Sequence, residues 1–100
     1  MSTIKFRVEM KTNDDVRKYI EDQGFEQVVI FEGPDYAPAF IGVTSDDRAV
    51  YDHDKMVEFL MDRDGMTEDE AVEFISYNTI RAPDYMEKGP VVMYPVEEGI

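Results

Sequence analysis

Carboxylates dominate the chemistry open to this chain, and their spacing is regular. Asp54, Glu58 and Asp62 stand at i, i+4 and i+8, and Asp69 and Glu73 repeat the interval. On a helix this spacing sets side chains in one row along one face. Rows of acids serve acid–base catalysis, cation binding or electrostatic imitation of a phosphate backbone. Catalysis by paired carboxyls, as in glycoside hydrolysis, needs a deep cleft, which a 100-residue chain rarely builds. For cation binding, Asp62-Arg63-Asp64-Gly65 has the look of a calcium loop. Setting Gly65 at its sixth position puts Leu60 at the first and Ala71 at the twelfth, where oxygen donors are required. A looser site at Asp52 and Asp54, or at Asp62 and Asp64, is all that remains of that idea, and we expect no metal.

The third use fits the spacing. Four residues of helix rise about 6 Å, near the separation of successive phosphates along a nucleic-acid strand. A rigid row at that pitch can enter a basic groove built for DNA or RNA, with steep salt dependence. Like charges at i, i+4 destabilise a helix by roughly 0.2–0.5 kcal/mol per pair, so the row implies a purpose other than stability. Acids in a helical first turn, such as Asp54, Glu68, Asp69 and Glu70, have a simpler role in complementing the helix dipole. An acidic face kept only for solubility is the competing account.

Other chemistry is scarce. The chain has no Cys, which removes disulfides, thiolate metal sites and thiol catalysis. His53 is the only histidine, so no zinc site of two or three histidines forms. Gly24, Gly33 and Gly42 are too far apart for a phosphate loop, and Ser45 and Ser76 have no local base. Lys5, Arg7, Lys11, Arg17 and Lys18 are the only basic cluster, a poor basis for a nucleotide-binding role. We expect a protein that is not an enzyme and carries no cofactor.

The elements that must position these residues follow from pattern. Thr3 to Lys11 alternate apolar and charged, the period of a strand with one buried face. Thr12 and Asp15 form a capping-box pair before a helix over about 13–23, with Gly24 beyond its end. Gln27 to Phe31 reads as a buried strand. Ala39–Thr44 and Ala49–Tyr51 read as a hairpin joined through Ser45 to Arg48. Asp52 caps a second helix that runs to about Asp64 and stops at Gly65; Tyr51 and Met56 hold its staple positions. Thr67 and Glu70 form a second capping box, opening a helix to about Ile80 before Ala82-Pro83. Only Gly65 and Met66 separate these helices, which predicts a tight αα-hairpin. Val91 to Tyr94, between prolines, predicts an edge strand.

The order is β-α-β-β-β-α-α-β. It predicts an α+β domain over 1–96, a mainly antiparallel sheet of four to five strands packed with about three helices, followed by a loose tail at 97–100. With 43% hydrophobic residues the chain can bury one core. Its 23 Asp and Glu against 10 Lys and Arg give a net charge of −13. Such a surface repels nucleic acid and anionic membranes. No wholly apolar run exceeds four residues, and the first residues lack a signal-peptide core, so we expect a cytoplasmic protein. The charge is polarised: nine acids lie between Asp52 and Glu73, against Lys55 and Arg63.

The stretches Ala49-Val50-Tyr51-Asp52-His53-Asp54-Lys55-Met56-Val57-Glu58, Asp64-Gly65-Met66-Thr67-Glu68-Asp69-Glu70-Ala71 and Tyr77-Asn78-Thr79-Ile80-Arg81-Ala82 resemble a group of small acidic proteins of bacteriophages, prophages and mobile elements. The resemblance covers about residues 40–95 and implies a context rather than a mechanism. By class, anti-CRISPR and anti-restriction proteins are similar in size and charge, and several block a nucleic-acid groove as mimics. The expectation is an inhibitor of bacterial defence that presents Asp54, Glu58, Asp62, Asp69 and Glu73 to a basic nucleic-acid-binding protein such as a Cas effector. Asp64, Glu70 and the loop aromatic Tyr85 would stand at the rim. The alternative is a small interaction domain or homodimer that uses Val91 to Tyr94 with Tyr85 and Met86.

Overall fold

In a computed structural model, which describes residues 10–33, 35–80 and 89–96, each helix begins where a side chain can take its free N–H groups. For α1 (Asn13–Asp22), Thr12 Oγ1 accepts from the Asp15 N–H at 3.2 Å while the Asp15 carboxylate accepts from the Thr12 N–H at 3.2 Å. For α2 (His53–Asp64), Asp52 Oδ1 accepts from the N–H groups of Asp54 and Lys55 at 2.9 and 3.2 Å. For α3 (Glu68–Ile75), Thr67 and Glu70 cap reciprocally at 3.1 and 2.9 Å. Gly65 ends α2 at φ +70°, a conformation that costs glycine little, and its N–H donates to the Met61 carbonyl at 3.1 Å. Helix α3 ends sooner than expected and passes into a π-type turn over Ser76–Ile80. There Asn78 Nδ2 donates to the Phe74 carbonyl at 3.2 Å, which an α-helix would reserve for the Asn78 N–H.

Strand β1 (Phe40–Val43) pairs antiparallel with β2 (Ala49–Asp52), as the hairpin pattern predicts. The turn closes through a Thr44 N–H to Arg48 carbonyl bond of 2.8 Å and a left-handed Asp47 at φ +65°. Strand β3 (Val91–Met93) lies on the other side of β2 and runs parallel to it, in the order β1-β2-β3. The described sheet is therefore mixed and three-stranded, not a mainly antiparallel sheet of four to five strands. A long connection that includes α2 and α3 separates β2 from β3, as a parallel pair requires. The strand expected over Thr3 to Lys11, the loop residues Tyr85 and Met86, and the tail 97–100 lie outside the described residues, apart from Met10 and Lys11.

Gln27 to Phe31 forms no strand. Gln27 adopts φ +61°, which breaks an extended run at its first residue. The Phe31 N–H then donates to the Tyr51 hydroxyl at 3.3 Å, and the Glu32 carbonyl accepts from Asn13 Nδ2 at 3.0 Å. Side chains take the places that a neighbouring strand would fill.

One core joins the sheet to the helices. Val16 of α1, Tyr51 of β2, Met56 and Leu60 of α2 and Ile75 of α3 are wholly buried in it. Six rings run through it in series, Tyr19–Phe40–Tyr51–Phe31–Tyr36–Phe59, with centroids 4.8 to 5.9 Å apart. Tilted and edge-on pairs of this kind contribute about 0.5–1.5 kcal/mol each beyond the area they bury. Tyr36, beside Pro38 in the loop before β1, is fully buried and belongs to this series. No helix among the described residues is long and apolar enough to cross a membrane.

Candidate functional site

Helix α2 turns Met56, Val57 and Leu60 inward, and the same periodicity forces Asp54, Glu58 and Asp62 outward. All three are exposed, and the helix that bears them is capped at both ends and fixed on the core, so their spacing is rigid. The Asp54 carboxylate lies 3.7 Å from His53 Nδ1, and the buried His53 ring packs on Tyr94 at 4.6 Å between centroids. Glu58 and Asp62 edge a shallow groove of about 430 Å³ with Pro38, Lys55, Phe59 and Arg63. Arg63 does not neutralise them. Its guanidinium lies 5.0 Å from the centre of the Phe59 ring and grips Asp64 with two bonds of 2.8 Å.

That grip, chiefly through its hydrogen bonds, holds the Asp64 carboxyl below the usual carboxylate range. Asp64 is therefore already partnered, and Glu70 is likewise occupied in its capping box. Asp69 and Glu73 are exposed on α3. Among the described residues no ion pair involves Glu58, Asp62, Asp69 or Glu73. Glu70 and Glu73 edge a second groove of about 390 Å³ with Met66, Phe74, Tyr77 and Asn78. The two acidic rows thus border different grooves. Tyr85, the remaining candidate, lies outside the described residues.

Sequence reasoning missed the apolar setting of the α2 row. Phe59 and Arg63 are four apart, an interval that brings a ring and a guanidinium together on a helix, and this signal was present in the sequence. Among the described residues no three or more metal-ligating side chains gather. Two buried tyrosines have perturbed hydroxyls. Burial pushes Tyr51 up to about 12 despite its bond to Phe31, and burial also raises Tyr36. The Tyr36 hydroxyl has no hydrogen bond of good geometry, although the Thr79 side chain is near enough to temper that rise. Both serve packing rather than the acidic face.

Comparison of the chain with protein-family models, with curated proteins and with solved structures finds no match.

Proposed function

We propose that this protein is a non-enzymatic inhibitor, encoded by a phage or mobile element, that occupies the nucleic-acid groove of a bacterial defence protein such as a Cas effector. The observation that carries this reading is the row Asp54, Glu58 and Asp62: exposed carboxylates at a fixed helical pitch, two of them without an ion-pair partner among the described residues. Helix α2 supplies the mimicking edge. Asp69 and Glu73 extend the negative field from α3, while Asp64 and Glu70, already bonded, contribute charge at the rim. The phage-type resemblance of residues 40–95 supplies the biological setting.

A groove lined by Arg and Lys binds such a row as it binds phosphates, so affinity falls as salt rises. The test is retention of bacterial proteins on the immobilised protein across a salt gradient, beside a Glu58→Lys/Asp62→Lys variant. A nucleic-acid-binding protein that the wild type holds and the variant releases supports the mimic. Equal retention by both sinks it.

The alternative, a homo-oligomerising or accessory interaction domain, draws on Tyr94 and Val96, which are 65% and 81% exposed just after β3. It predicts an association that salt and the charge reversals leave unchanged.

A further inference from the structure

A concavity lies away from the acidic hairpin, along residues 24–33. Its volume is about 940 Å³, and its walls include Glu21, Phe25, Glu26, Val28, Val29 and Ile30. The sequence there has the β-branched, apolar character of a strand, yet among the described residues no backbone–backbone hydrogen bond involves residues 26–33. Tyr51 and Asn13 satisfy Phe31 and Glu32 through side chains, and among the described residues the main chain of Val28, Val29 and Ile30 has no such help. Val29, within a run of four apolar residues, is 48% exposed. The groove is also negative. Arg17, the cation among its described lining residues, is committed to Asp14 and Glu32, while Glu21 and Glu26 have no ion pair among the described residues.

We propose that this groove binds an extended basic segment of a partner protein, which adds as a strand along Val28 to Ile30. Main-chain N–H and C=O groups of the incoming segment pair with those of Val28 to Ile30, as in strand addition at an open sheet edge. Alternate apolar side chains cover Val29, and the basic ones between them meet Glu21 and Glu26. This site is independent of the mimic, since it shares no residue with the α2 and α3 rows.

The test is an amide-resolved NMR titration of the full chain with a six-residue Lys-Val alternating peptide. A peptide with the same residues in two blocks, and a Glu-Val alternating peptide, serve as controls. The alternating basic peptide is expected to shift the amides of Val28 to Phe31 and to slow exchange at Val28 to Ile30 about tenfold. Neither control should do so, and Glu26→Lys should weaken the effect without altering the free protein's spectrum elsewhere. Equal shifts from the block peptide would overturn the proposal, as would shifts confined to α2 and α3. So would amides at Val28 to Ile30 that already exchange as slowly in the free protein as those of β2, because the chain itself would then fill the groove.

Discussion

The helical hairpin of α2 and α3 and the segment 24–33 satisfy their backbones in opposite ways. In the hairpin every helix start is closed by a side chain within three residues: Asp52 for α2, Thr67 and Glu70 for α3. In the segment, the bonds that hold Phe31 and Glu32 come from Tyr51 and Asn13, which are 20 and 19 residues away. Local closure makes the hairpin a rigid platform, able to hold carboxylates at fixed spacing against their mutual repulsion. Distant closure leaves the segment with an exposed Val29 and, among the described residues, no backbone–backbone hydrogen bond at residues 26–33.

The sharpest way to break this contrast is to truncate one apolar side chain in each region. Leu60→Ala, in the wholly buried face of α2, is expected to cost about 2–5 kcal/mol by urea denaturation. Val29→Ala, half-exposed, should cost less than about 0.5 kcal/mol. Equal costs would mean that the segment belongs to the core as fully as the hairpin does.

Tyr51 sharpens the contrast, because its hydroxyl is what ties the segment to the sheet. Tyr51→Phe should cost about 1 kcal/mol, whereas Tyr36→Phe, which removes a buried hydroxyl lacking a good partner, should cost nothing or stabilise. The Tyr51 hydroxyl titrates higher folded, near 12, than the ordinary value of 10.0. Its stabilisation is therefore complete below pH 10.0 and is lost as pH climbs toward about 12. Denaturation curves across that window should fall more steeply for the wild type than for Tyr51→Phe.

Smaller effects follow at the caps and at the left-handed residue. Thr67→Ala opens the α3 capping box and should lower stability by about 1 kcal/mol, with fraying at Glu68 to Glu70 seen in amide exchange. Gln27→Gly relieves a side chain held at φ +61° and should stabilise by at most about 1 kcal/mol, since glycine's greater freedom when unfolded offsets part of the gain. A loss at Gln27→Gly would show that the Gln27 side chain itself anchors the segment.

The same division explains what could be read from the sequence. Thr12, Asp52, Thr67 and Gly65 act on groups a few residues away, so the helix starts, the end of α2, the hairpin turn and the outward row Asp54, Glu58 and Asp62 were legible from spacing alone. The fate of Gln27 to Phe31 was not, because it depends on a hydroxyl in β2 and an amide at the start of α1. Nor was the direction of β3, which depends on its pairing with β2, an element distant in the sequence. The early end of α3 had a local cause in Asn78, whose side chain competes for the Phe74 carbonyl, but that competition is legible only once the turn is seen. Within the candidate site, sequence spacing gave the exposed acids. It could not distinguish Asp64 and Glu70, bonded to Arg63 and to the Thr67 N–H, from the carboxylates that have no ion pair among the described residues.

The most direct test of the mimic is competition. Labelled target DNA bound to a guide-loaded Cas effector retained in the salt-gradient experiment is titrated with the wild type and with Glu58→Lys/Asp62→Lys, at low and at high salt, and followed by fluorescence anisotropy. The account predicts that the wild type displaces DNA at low salt, loses that ability steeply as salt rises, and that the doubly reversed variant, still folded by circular dichroism, displaces none. Displacement by the variant equal to that of the wild type, or displacement indifferent to salt, would contradict it.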